Sequence, residues 1–346
     1  MTPARAQLPL GVVVVAIAAI LPFGFSDFVT SQILTRALIL GIAAASMIFL
    51  ASLGGGVSLA QTGLYGLAGF TYGNLIQADG GVAIRMGVYP ALLLALLITV
   101  GVALLIGLIS SRSEGIYFLM ITLAFGVIIK LIFEKVTDMS GFGGINNISA
   151  PSWLENPALQ PDRLYWLALV LSVLVYLGYR YFAKTPFGLA FQGNRDNPTR
   201  MKALGYNIIV IRTVAFGIGG FIAAVAGVLN VWWNTAIAPG TIDLGPIIYL
   251  LLIAIIGGLY RIEGAWIGAL IFALIDNRLR SIGFVGDRTT TAIGIIFLLI
   301  VLLSPGGVMG IYESISKRLR SRPTGGGDIA SAGGDGAAAP QGVAGD

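Results

Sequence analysis

Among its 346 residues the chain has no cysteine and no histidine. The first absence excludes disulfides and thiolate metal sites. The second removes the imidazole on which zinc centres and His-based catalytic triads rely. Charge is scarce too, with Asp, Glu, Lys and Arg together making up 11%. No G-x-x-x-x-G-K-[ST] phosphate loop occurs, so the chain holds no Walker-type site for hydrolysing a nucleotide itself. A convergent catalytic set is also lacking, which argues against a membrane enzyme.

What is present is apolar. Hydrophobic residues make up 56% and the mean hydropathy is +0.89. Runs long enough to cross a bilayer, roughly 17–25 residues each, recur along most of the length. A water-soluble domain could not hide that much apolar surface. The fold class expected is therefore all-α, a polytopic transmembrane helical bundle. The 48 glycines suit it, because glycine lets membrane helices approach closely. The net charge of +5 does not point to nucleic acid, since the positive residues flank apolar spans.

Apolar windows predict about ten spans, at 8–28, 32–52, 54–77, 87–109, 115–134, 163–182, 208–232, 246–260, 264–280 and 289–304. The first reads as a retained helix and not a cleaved signal peptide. The third is rich in Gly and polar residues and the eighth is short, so either could be broken or re-entrant. Residues 1–310 form the expected transmembrane domain. Residues 311–346, rich in Gly, Ala and Asp, cannot bury a core and read as a disordered cytoplasmic tail. Lys and Arg are more frequent on one set of loops, which places both termini in the cytoplasm. The loop 135–162 then faces the periplasm and the loop 183–207 the cytoplasm.

That cytoplasmic loop contains "GNRDNPTRMKALGYN", residues 193–207, a polar stretch between two apolar segments. Asp196 or Asn197 can N-cap a short helix whose first residue is Pro198, and Gly205 can end it in a left-handed conformation. Met201 and Leu204 are three apart and share a face, while Arg200 and Lys202 point elsewhere. A short capped helix with one apolar face suits docking into a partner's groove. A solvated loop helix carrying only topology-setting charges is the plainer alternative.

The residues then become familiar. "TPFGLAFQGNRDNPTRMKALGYNIIVIRTVAFGIGGFIAAVAGVL" resembles the cytoplasmic loop and following helix of inner-membrane permeases of branched-chain amino acid ABC transporters. "IIGGLYRIEGAWIGALIFALI", "SEGIYFLMITLAFGVIIKLIFEKVTDMSGFGGI" and "GGGVSLAQTGLYGLAGFTYG" are similar to further segments of that family, in its order, from about residue 50 to 305. The "YFLMITLAF" element resembles the LivM-like member of the permease pair. The resemblance implies a subunit of an ATP-driven importer in the inner membrane. It also implies a homologous LivH-like permease, two cytoplasmic ATPase subunits that bind the ATP, and a periplasmic solute-binding protein; no cofactor is expected in this chain.

On that resemblance the coupling segment to the ATPases is Arg195, Asp196, Asn197, Pro198, Arg200, Met201, Ala203, Leu204 and Gly205. The family's E-A-A-x-x-x-G pattern survives only at Gly205, with Thr199, Arg200 and Met201 in its first three places. Gly55, Gly56, Ser58 and Gln61 are candidate pathway residues, although Gly54, Gly55, Gly56 and Gly63 could equally serve tight helix packing. Thr122 to Gly126 read as core, and Trp232 and Trp233 as interface anchors. Asp243, Glu155 and Asp162 read as solvated loop acids, and Glu114 as the partner of Arg112. Permeases for urea or short amides are similar to this family. An ion-coupled secondary transporter would need an ionisable group at the midplane, and the acids here lie near span ends.

Overall fold

The computed structural model describes residues 29–76, 82, 84–140, 143–154 and 161–281, together with 291, 294, 295, 298, 307 and 308. The expected first span, most of the last, and the tail lie outside the described residues. Among those described there are eleven α-helices and no strand. A π-helical turn, Thr30–Thr35, leads into α1 (Arg36–Gly54). Then come α2 (Ala60–Leu75), α3 (Val88–Ser110), α4 (Ile116–Lys135) and the short α5 (Thr137–Ser140). They are followed by α6 (Pro161–Phe182), α7 (Pro186–Asp196), α8 (Pro198–Ala203), α9 (Ile208–Asn234), α10 (Leu244–Gly257) and α11 (Glu263–Ser281). Stretches around α1, α3, α4, α6 and α9 are each long and apolar enough to cross a membrane.

α1 is the axis of the bundle. Sixteen of its 19 residues are buried, as befits a helix apolar on every side. α9 and α11 pack along it, and α9 also packs against α2 and α3. α3 is buried along one stripe of small residues, Ala91, Ala95, Thr99, Ala103 and Gly107, every fourth position. This spacing lets helix backbones approach closely in lipid. A Cβ added at Gly220 of α9 would stand 2.3 Å from the Ala103 Cβ. α4 shows a single buried stripe as well, Thr122, Gly126, Ile129 and Phe133. Of Thr122 to Gly126, expected in the core, Thr122 and Gly126 are buried, Leu123 and Phe125 are half-buried and Ala124 is exposed.

The Gly-rich third span opens on a non-helical break and is one helix from Ala60 to Leu75. α1 stops at Gly54, and Gly55 caps it with φ +76, a left-handed conformation that a side chain would strain. The chain stays non-helical until Ala60, where α2 begins deep in the bundle. Leu59 N–H is satisfied there by Thr122 Oγ1 of α4 at 3.2 Å, and a Cβ at Gly63 would touch the Gly126 backbone at 3.1 Å. Both α2 and α10, with 16 and 14 residues, are shorter than their neighbours. At the far end of the bundle the segment before α6 is pinned to the turn after α9. Ile145 and Ile237 exchange backbone hydrogen bonds of 2.8 and 2.9 Å.

Candidate functional site

The polar segment between α6 and α9 is more structured than its composition suggests. α7 was not anticipated from sequence, yet its start carries a clear local signal. Thr185 Oγ1 accepts the Gly188 N–H at 3.1 Å, and Pro186 occupies the first helical position. Gly188 permits a hairpin close enough that a Cβ there would sit 1.9 Å from the Phe182 carbonyl oxygen. Gln192 ties the turn from the other side, donating to the Ala183 carbonyl at 2.8 Å. On its inner face Phe191 joins Phe182, Tyr179 and Phe49 of α1 in an aromatic cluster, and Phe191 closes over Gly54.

α8 follows the sequence expectation closely. Asn197 is the N-cap, its Oδ1 accepting the Arg200 N–H at 2.9 Å, with Pro198 at the first position. Gly205 lies just beyond the helix with φ +85. The apolar pair divides, however. Met201 is buried, its Sδ packed on Gly193 of α7, whereas Leu204 is 64% exposed. Met201 fastens α8 to α7 and Leu204 points out beside exposed Tyr206, with Arg200, Lys202 and Ala203 also exposed. Asp196 is exposed and pairs with its neighbour Arg195 at 2.9 Å.

Arg195 makes the decisive contact of this segment. Its guanidinium donates to the Ser52 carbonyl in the last turn of α1, and its stem lies against Gly55. A cavity of about 230 Å³ opens here, with Gly55, Gly56, Arg195, Pro198, Phe118 and Arg212 in its wall. The structure thus brings two predicted groups together, the Gly-rich break and the polar segment. Ser58 and Gln61 lie elsewhere. They are buried deeper, where the Ser58 hydroxyl and both side-chain polar atoms of Gln61 have no hydrogen-bond partner. The Gln61 amide points toward Gly219 of α9. Asn194 is likewise fully buried and unpartnered in the cavity wall.

A second cavity of about 500 Å³ opens at the opposite end, among the starts of α1 and α10 and the end of α9. Arg36 lies in its wall and bonds Asp276 of α11 at 2.6 Å, with the Trp233 ring centred 6.0 Å from the guanidinium carbon. Thr62, in the first turn of α2 just beyond the break, faces it with a buried, unpartnered hydroxyl. Both cavities reach α1: Ala43 lines one and Leu50 the other. Seven residues of helix, about 10 Å, separate them. The buried carboxylates among the described residues, Glu263 and Asp276, sit toward the two ends of α11, each near an arginine.

Several sequence readings need correction. Glu114 pairs with Arg212 of α9 at 2.7 Å, not with Arg112, and Arg212 also bonds the Ser111 carbonyl at the end of α3. Trp232 is no interface anchor: it is buried against Tyr72 with rings 5.9 Å apart. Trp233 lines the larger cavity. Asp243 is exposed, as expected, but it is also an N-cap, accepting the Leu244 N–H at 2.8 Å, and it pairs with Lys130 of α4 at 3.1 Å. The Leu244 N–H and then the Lys130 ammonium hold its carboxyl below the usual carboxylate range. Glu155 lies outside the described residues, and Asp162 is exposed in the first turn of α6.

Comparison with known proteins adds an independent line. A family model described as "Branched-chain amino acid transport system / permease component" matches residues 29–304. Similar curated proteins include the high-affinity branched-chain amino acid transport system permease protein LivM of Salmonella typhimurium, 23% identical over 74% of this chain. The chain covers 64% of that protein's length. LivM of Escherichia coli is 23% identical over 81% of this chain and 70% of its own length. The probable permease protein LivH of Methanocaldococcus jannaschii is 28% identical over 46% of this chain and 52% of its own. No solved structure matches.

Proposed function

The chain belongs to the family of permease components of branched-chain amino acid transport systems, and from that premise we propose that it lines half of the solute pathway of an ATP-driven importer. The solute is a branched-chain amino acid. The partners are a homologous permease, two cytoplasmic ATPases that bind the ATP, and a periplasmic solute-binding protein. The α7–α8 end, rich in Arg and Lys, faces the cytoplasm and the 500 Å³ cavity faces out of the inner membrane. Residues 183–207 are the coupling segment, and both termini are cytoplasmic.

One observation carries this reading: α7 grips the break between α1 and α2. Arg195 holds the Ser52 carbonyl, and Phe191 covers Gly54. A push on α8 passes through Met201 to α7 and from there to the last turn of α1. The non-helical stretch 55–59 is the natural place for that push to act, because its backbone is not locked into a helical ladder. Helix α1 between Ala43 and Leu50, together with the first turn of α2, is the barrier between the cavities. The ATPases must contact the two states differently to move it.

The test uses two positions with different roles. Leu204→Glu places a charge on the exposed apolar tip and is expected to abolish co-purification of the ATPases while the subunit still inserts in the membrane. Arg195→Ala is expected to keep the ATPases bound but lower solute moved per ATP hydrolysed in proteoliposomes. Normal assembly of the first variant together with a wild-type transport ratio in the second would overturn the coupling role.

A further inference from the structure

The larger cavity carries more specific chemistry than a passage needs. Its volume of about 500 Å³ falls in the range of about 300–1,000 Å³ usual for small-molecule sites. Arg36 presents five N–H donors, and among the described residues only Asp276 accepts one of them. The rest of the fork, on a side chain 27% exposed, faces the cavity beside Trp233. Asp276 is buried and pairs with Arg36, carboxylate against guanidinium. Asn234, in the cavity wall, donates its amide hydrogens to Asn230, which leaves its side-chain Oδ1 to act as an acceptor. Leu40, Leu250 and Phe272 supply an apolar wall, and the Thr62 hydroxyl lies unpartnered at the boundary with α2.

We propose that this cavity is a holding site for a zwitterionic α-amino acid with an aliphatic side chain, anchored by Arg36. The planar guanidinium fork matches a carboxylate with two parallel bonds. Asn234 Oδ1 accepts from the ammonium group, and the apolar wall takes the side chain. The neutral Arg36–Asp276 pair admits a zwitterion without leaving an uncompensated charge, whereas a dicarboxylate brings one negative charge in excess. This inference rests on the permease reading and names what its pathway recognises apart from the binding protein.

The experiment measures tritiated leucine binding to the purified permease–ATPase complex in nanodiscs, with no solute-binding protein added. The wild type is expected to bind saturably. Leucinol, which lacks the carboxylate, should compete at least tenfold more weakly than unlabelled leucine. The paired substitution Arg36→Gln/Asp276→Asn keeps the pair neutral and a hydrogen bond between the two positions, and should weaken leucine binding at least tenfold. Should that variant fail to assemble, the leucinol competition on wild type still decides. Equal competition by leucinol, or leucine binding within twofold of wild type in the paired variant, would overturn the site. So would absence of saturable binding while the complete system still accumulates leucine in proteoliposomes. If the complete wild-type system accumulates no amino acid with ATP, the permease reading itself falls.

Discussion

The two ends of the bundle solve different problems. At the α7–α8 end, beside the Arg195–Asp196 and Arg212–Glu114 ion pairs, three contacts hold backbone: Arg195 to the Ser52 carbonyl, Arg212 to the Ser111 carbonyl, Gly188 over the Phe182 carbonyl. Such contacts grip the main chain of a helix end and transmit displacement whatever the local side chains are. At the opposite end, beside the Ile145–Ile237 backbone pair and the Asp243 cap on the Leu244 N–H, the long-range charged contacts join side chain to side chain, Arg36 with Asp276 and Trp233, and Asp243 with Lys130. Those contacts can exchange partners with a solute or with another protein. A handle needs the first kind and a recognition surface needs the second.

The comparison breaks most sharply at Asp276. Asp276→Leu leaves the Arg36 charge without its carboxylate, and breaking a buried pair costs about 3 kcal/mol at the low end of the usual range. The low end applies because Arg36 partly faces the cavity. The expected outcome is a clear drop in the melting temperature of the detergent-purified subunit, with most of it restored by adding Arg36→Met. A smaller and more local effect is expected at the other end. Gly188→Ala forces a Cβ against the Phe182 carbonyl and should cost about 1–3 kcal/mol. It should appear as faster proteolysis within 183–207 while the melting of the bundle hardly changes.

The smallest effect is one of pH. The Asp243 carboxyl is held low by the Leu244 N–H and by Lys130. A carboxyl with a lowered folded-state pKa stabilises fully above its unfolded value, about 4, and the contribution is lost as pH falls through the lowered value. Hydrogen exchange in the first turn of α10 should therefore quicken below about pH 4. Asp243→Asn keeps the cap acceptor, so it should remove most of that pH dependence. An unchanged exchange profile in wild type across this range would contradict the pairing.

Much of the architecture was legible in the apolar runs. The helices α1, α3, α4, α6, α9, α10 and α11 start and stop within a few residues of the expected spans. The break before α2 was legible in its glycines, and α8 in Asn197, Pro198 and Gly205, because caps and left-handed turns are local. The helix α7 was legible in principle from Thr185-Pro186, a cap followed by a first-turn proline, but its mixed composition resembles a loop. What could not be read was partnership across the fold. Glu114 meets Arg212 over 98 residues, and sequence proximity favoured Arg112. Trp232 looked like an interface tryptophan because only packing shows that Tyr72 covers it. The split roles of Met201 and Leu204 depend on where α7 lies, and so do not follow from their spacing.

The central claim is that work delivered at α8 switches access across α1. The chain has no native cysteine, so single substitutions report cleanly. Ala43→Cys and Leu50→Cys lie on one helix, seven residues apart, one in each cavity wall. Maleimide labelling of each, in the assembled transporter, is compared between the nucleotide-free and vanadate-trapped states. The account predicts that labelling of the two positions changes in opposite directions. Labelling that stays the same at both positions, in complexes that hydrolyse ATP and transport solute, would contradict it.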